Sequence, residues 1–191
     1  VYMTGAELLE ALEAAAQGLP YTDVSAAACA SFMQVSGLNC RIDLSKAFAQ
    51  GELYKAPWYK ATSVSRVSIE SVNGNPFSAQ DTYAIITSNA NFNGMDSSYV
   101  FQAAAEADSR SAVTTAVVRD VIWMYIDEAL GRTIGTEYAA PQGRITVAEA
   151  PQPVTPPAAD DSAPSDITKA EWEYRVRPGD SLWKIAAGVY G

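Results

Sequence analysis

Residues 150–166, APQPVTPPAADDSAPSD, set the outer limit on what this chain can fold into. The segment has five prolines, three acids, no aromatic and no base. It cannot bury enough apolar surface to offset its chain entropy, so an extended, disordered linker is predicted over 150–172. Any sizeable core must then come from residues 1–149, with 173–191 left as a small separate piece. The 191 residues, 48% of them hydrophobic, suffice for one ordinary domain and such an extra unit.

The charge balance narrows the partners. Net charge is −9 and no long basic run exists, which argues against nucleic-acid polymers and anionic membrane surfaces. A small anionic ligand is still allowed, because it needs only one or two local arginines. No window approaches the roughly 20 apolar residues of a membrane span. The chain holds no histidine, which excludes a histidine base or a histidine-ligated metal within these residues. Cys29 and Cys40 lack the four-ligand spacing of a zinc site. They form a disulfide if the protein is exported, and are small buried apolar side chains otherwise; both readings stand. The chain opens at Val1 in a pattern already under way and stops at Gly191 in mid-motif, so it reads as a fragment.

Local signals give the elements. Thr4-Gly5-Ala6-Glu7 is a capping box, followed by an apolar helical face of Leu8, Leu9, Leu12, Ala15 and Ala16. Gly18, as a left-handed cap, and Pro20 should end that helix. Gln34–Leu44 alternates, with Leu38, Cys40, Ile42 and Leu44 on one face, and reads as a half-buried strand. Residues 45–61 read as an irregular, partly covered loop containing Tyr54, Trp58 and Tyr59. Ser63–Val72 is a further strand, closed by the Asn73-Gly74 turn signal. Ala112–Leu130 carries Val113, Val117, Val121 and Met124 at helical spacing, with Trp123 and Tyr125, and reads as a core-packed helix capped by Gly131. Gly143–Val147 reads as a last short strand.

The candidate site lies in Thr82–Phe101, TYAIITSNANFNGMDSSYVF. Thr82–Thr87 is apolar and β-branched, the pattern of a buried strand. It runs into Ser88–Ser98, a loop of Ser, Asn, Gly and Asp carrying one acid, Asp96. Tyr99 and Phe101 then return to the core. A rigid strand ending in a polar loop is a common way to present a ligand-binding group, although most such loops only connect.

Five segments, in order, resemble the C-terminal domain of the 5'-nucleotidase family. They are VYMTGAELLEALE, MQVSGLNCRID, IESVNGNPFSAQDTYAIITSN, NFNGMDSSYVF and QGRITV. The resemblance implies an α+β fold, a four-layer α/β/β/α domain over 1–149 that clamps the nucleoside of a substrate. Phosphate release would belong to a separate metallophosphatase domain with two divalent metal ions, so neither catalytic residue nor cofactor is expected here. The family's ribose-binding acid falls on Asp96; a carboxylate is acceptor-only and can take two vicinal hydroxyls. Asn89, Asn91, Phe92 and Gly94 of the same loop complete the expected substrate-binding set. Ala90 stands where the family places one of two base-clamping rings, and Phe92 is the nearest aromatic.

Residues 174–191, YRVRPGDSLWKIAAGVYG, resemble the first half of a LysM module, a βααβ unit truncated here. LysM modules bind N-acetylglucosamine chains of peptidoglycan or chitin, and Gly179, Asp180 and Ser181 match the first of the two loops forming that groove. Together the two resemblances imply the substrate-binding part of an extracellular, cell-wall-associated 5'-nucleotidase. The alternative is a non-catalytic surface-binding or spacer module that kept the fold but lost the nucleotide clamp.

Overall fold

A computed structural model describes residues 1–20, 30–107 and 110–148. The expected linker, the half-LysM with Gly179, Asp180 and Ser181, and the Cys29 partner of any disulfide lie outside the described residues. Among the described residues, 1–114 with 142–148 make one compact unit and 115–141 a second.

The first unit starts from its capping box. Helix α1 (Gly5–Ala15) has Thr4 as N-cap: the Glu7 N–H donates to Thr4 Oγ1 at 3.2 Å, and the Thr4 N–H donates to Glu7 Oε2 at 2.7 Å. Two of the orphan donors of the first turn are thus satisfied reciprocally. A Cβ on Gly5 would sit 2.2 Å from the Ser78 carbonyl oxygen, so only glycine lets the helix start this close to the 78–81 turn. The helix ends through Ala16 in the right-handed region, and Gly18 is not among the residues with positive φ. The expected left-handed glycine cap is therefore corrected: the Leu19 N–H bonds back to Ala16 and a plain turn ends the helix.

One face of α1 covers a four-stranded sheet, ordered β6 (Asn75–Pro76), β5 (Val67–Val72), β2 (Leu38–Asp43), β8 (Ile145–Ala148). Strand β2 is antiparallel to β5 and parallel to β8, with Cys40 opposite Ile145. The strand is shorter than the expected Gln34–Leu44, and Leu44 lies in the turn after it, but within β2 the alternation holds: Leu38, Cys40 and Ile42 are buried while Asn39 and Arg41 face out. These three join Leu8, Leu12, Ala16, Val67 and Ile69 in one core cluster. Burying each large aliphatic side chain contributes about 1.5–3 kcal/mol. Burial pushes the Cys40 thiol up to about 11. Asn73 and Gly74, both at positive φ, form the tight β5–β6 turn that Asn-Gly announced.

Other elements differ from expectation. Residues 45–61 are not irregular: β3 (Gln50–Lys55) and β4 (Trp58–Ala61) form an antiparallel hairpin. The Gln17 amide ties it to α1, donating to the Tyr59 carbonyl at 3.2 Å and accepting the Tyr59 N–H at 3.0 Å. The predicted buried strand Thr82–Thr87 shrinks to β7 (Thr82–Ala84), which among the described residues pairs only with β1 (Tyr2–Thr4). Its residues alternate: Tyr83 and Ile85 touch the core while Ile86 is fully exposed. An edge pair buried on one face needs alternation, not a continuous apolar run. The polar loop contains a short helix, α2 (Asn89–Phe92), with Ser88 as N-cap. Tyr99 and Phe101 belong to helix α3 (Tyr99–Glu106), whose Val100, Phe101 and Ala104 meet Met3 and Ala11 in a second core cluster.

A buried charged pair joins α1 to β5. Glu13 has no exposed surface, and its Oε2 accepts the N–H groups of both Arg66 and Val67 at 2.9 Å. Arg66, only 5% exposed, donates from its guanidinium to the carbonyls of Ala16 at 3.0 Å and Leu19 at 2.7 Å. It therefore caps the C-terminal end of α1, where orphan carbonyls and the helix dipole favour a cation. Burial lowers the Arg66 pKa and the Glu13 charge opposes that shift.

In the second unit, α4 (Val118–Met124) runs into a π-helical turn, Tyr125–Ala129. Residues 111–117 carry no regular structure, so the expected helix from Ala112 starts six residues late. The run Val113, Thr114, Thr115, Val117, Val118 is rich in β-branched residues, which disfavour helix. The expected core packing is also corrected: Val113, Val117, Val121 and Met124 are all at least half exposed. Gly131, at φ 59°, does follow the helical end.

Candidate functional site

The site is assembled where the 88–98 loop meets the β3–β4 hairpin and α3. The loop first uses its own amides. Asn91 Nδ2 donates to Thr87 Oγ1 at 3.0 Å, and Asn91 Oδ1 accepts the Ser98 hydroxyl at 3.1 Å. Asn93 Nδ2 donates to both oxygens of Asn89, at 2.8 and 3.0 Å. Asn91 is thus bonded at both ends of its amide to the loop itself. Phe92, half-buried, ends α2.

Gly94 is the point at which the loop is held from outside. The Lys55 ammonium donates to its carbonyl at 2.6 Å. The Tyr54 hydroxyl lies 3.0 Å from the same carbonyl and 2.7 Å from Gln102 Oε1 and shares its single proton between the two acceptors. A Cβ on Gly94 would fall 2.2 Å from Gln102 Oε1 and 2.3 Å from the Tyr54 oxygen, and φ is +69°. No other residue fits that space or that backbone.

Asp96, two residues on, is half-buried and sits at φ 53°, an uncommon conformation for a residue with a side chain. Among the described residues its carboxylate has no hydrogen-bond or ion-pair partner. Ser97 beside it is 1% exposed, and its hydroxyl also lacks a partner among the described residues.

A hydrogen-bonded wall supports this corner. The Tyr99 hydroxyl accepts the Ala61 N–H and donates to Glu10 Oε1, both at 2.9 Å. Burial raises the Tyr99 phenol above its ordinary range, and the Glu10 carboxylate adds to that. The Tyr54 and Tyr99 rings lie 5.6 Å apart, and Lys55 stands 4.8 Å from the Tyr54 ring centre.

The structure therefore brings Asn89, Asn91, Phe92, Gly94 and Asp96 onto one loop. It adds Tyr54, Lys55 and Gln102, which sequence reasoning misses. Only the Tyr54-Trp58-Tyr59 aromatics hint that 45–61 is more than a connection. A small cavity of about 10 Å³ lies in the core, lined by residues such as Leu12, Phe32 and Ile145, and a polar one of about 170 Å³ beside the Asn73-Gly74 turn. Among the described residues no group of three or more His, Cys, Asp or Glu side chains could hold a metal ion.

These features define a mixed α+β domain that holds out an acid-bearing loop. The model of the 5'-nucleotidase C-terminal domain matches residues 1–106, and the chain belongs to that family. A solved structure, the 5'-nucleotidase precursor from Thermus thermophilus, is similar at 24% identity with a TM-score of 0.49. The match covers 76% of this chain and 24% of that one, so this chain spans about a quarter of that protein's length. No curated protein matches the chain.

Proposed function

We propose that the chain is the substrate-binding domain of a 5'-nucleotidase-type hydrolase and takes the nucleoside part of a nucleotide at the 88–98 loop. The observation that carries this reading is Asp96: an acceptor-only side chain, without a partner among the described residues, in a domain of this family. Vicinal ribose hydroxyls supply two donors for such a group. The α/β/β/α layering of the whole domain belongs to the same proposal. So does hydrolysis of the phosphate in a separate domain carrying two divalent metals. The peptidoglycan-binding role of 173–191, and with it an extracellular, wall-associated location, rests on that segment's sequence alone. Among the described residues no helix is long and apolar enough to cross a membrane.

A second reading draws on Ala90, which offers no ring to a base. It makes the domain a non-catalytic surface or spacer module. Calorimetric titration of the 191-residue chain with adenosine separates the two. Asp96→Ala should weaken binding roughly ten- to a hundredfold, the size of a lost charge-assisted hydrogen bond. Equal affinity in both proteins would remove Asp96 from the site, and no adenosine binding at all would favour the spacer.

A further inference from the structure

We propose that the end of β3 is a positioning clamp for the acid-bearing loop, with Lys55 and Tyr54 as positioning residues. This inference rests on the nucleoside-binding reading of Asp96.

Three observations carry it. The Gly94 carbonyl is taken by two side chains from another element, Lys55 at 2.6 Å and Tyr54 at 3.0 Å. Tyr54 is itself fixed by Gln102 of α3 at 2.7 Å, so hairpin, loop and helix meet at one hydroxyl. The space is closed at Gly94, where no side chain can be added. On its far side the acid is fixed as well: Ser97 and Ser98 are buried, and the Ser98 N–H bonds the Met95 carbonyl at 3.0 Å.

Asp96 thus lies between two anchored stretches, and among the described residues its carboxylate has no hydrogen-bond or ion-pair partner to orient it. Its direction is set by the backbone, and the backbone is set by β3. A binding group held this way loses less conformational entropy when a ligand arrives. The grip comes from 40 residues earlier in the chain and joins parts of the molecule that local sequence does not connect.

The test uses the 191-residue chain with Lys55→Met, Tyr54→Phe and the conservative Lys55→Arg. Lys55 is exposed and Tyr54 is only half-buried, so these variants leave the core intact. Amide exchange at Met95 and Ser98 should become roughly tenfold faster in Lys55→Met and Tyr54→Phe, as expected for losing one hold on a local opening. Lys55→Arg, which can still donate, should restore most of the protection. Adenosine affinity should fall roughly two- to tenfold, the cost of ordering one more group on binding. In an Asp96→Ala background, Lys55→Met should weaken adenosine no further, because the clamp acts through the acid.

Unchanged exchange in both variants overturns the clamp, whatever adenosine does. So does an additive loss in the Asp96→Ala background, which would mean that Lys55 contacts the ligand directly. Faster exchange with adenosine affinity indifferent to Asp96→Ala keeps the clamp and sinks the nucleoside reading.

Discussion

Glu13 is a side chain whose loss can be worked through bond by bond. Its Oε2 accepts two backbone N–H groups, Arg66 and Val67, each at 2.9 Å, and its Oε1 accepts the Ser65 hydroxyl at 3.2 Å. Glu13→Gln can place its amide oxygen where Oε2 was and turn its amide nitrogen toward Ser65, which accepts. The bonds survive but lose their charge assistance, a difference of about 1 kcal/mol for each of the two backbone bonds. The expected destabilisation is about 2 kcal/mol. Both substitutions take the counter-charge from the buried Arg66, and Glu13→Ala in addition strands both N–H groups, so it should cost more, about 3–5 kcal/mol. Hydrogen exchange at the Cys40 amide, which donates to the Arg144 carbonyl at 2.8 Å in mid-sheet, reads global opening of this unit. For Glu13→Gln it should speed up about thirtyfold, the factor that 2 kcal/mol gives. A change within about 0.5 kcal/mol, typical of surface substitutions, would refute the reasoning. Arg66→Met in the Glu13→Ala background should recover part of the loss; a purely additive double variant would show that the two charges do not communicate.

Two further outcomes follow from the same contacts. Arg110 donates to both Glu7 oxygens, at 3.0 and 2.5 Å, and that bond leads the causes holding the Glu7 carboxyl down to about 2 from 4.5. A depressed acid stabilises the fold above its unfolded value and loses that contribution as pH falls through the folded one. Urea melts should therefore show stability draining from pH 4.5 towards 2, with a flatter profile in Arg110→Ala; identical profiles would contradict the pairing. Tyr99→Phe leaves the Ala61 N–H and Glu10 without the bridging hydroxyl, at a cost of about 1–3 kcal/mol. Thermal melts check it, and an unchanged midpoint would mean that water replaces the hydroxyl.

What could be read from the residues follows the range of the interactions involved. The capping box, the β2 alternation and the Asn73-Gly74 turn are each settled within a few residues, and each appears as read. Helix α3 does not stand out in the sequence although Val100, Phe101 and Ala104 have helical spacing, because Tyr99 and Phe101 fit the end of a loop equally well. The β3–β4 hairpin escapes because QGELYK and WYKA alternate weakly and the Ala56-Pro57 link lacks a glycine turn signal. Apolar spacing alone makes the 112–130 helix too long, because it ignores the β-branched run that opens the segment. The contacts at Gly94 lie beyond local pattern altogether: its two partners stand 39 and 40 positions away in the chain, and nothing near either end announces the other.

The acid itself shows how far local chemistry reaches. A loop aspartate ordinarily bonds the backbone N–H two residues on, forming a turn with its own chain. At Asp96 that donor is the Ser98 N–H, and it is already bonded to the Met95 carbonyl at 3.0 Å. The neighbouring asparagines turn their amides elsewhere: Asn91 bonds Thr87 and Ser98, and Asn93 bonds Asn89. Lys55 is turned to the Gly94 carbonyl instead. The Ser98 N–H, the Asn91 and Asn93 amides and the Lys55 ammonium are all turned to holding the loop, and the buried Ser97 hydroxyl makes no bond to the carboxylate either, so under the nucleoside-binding proposal the interactions that shape the loop leave Asp96 to accept from the ligand.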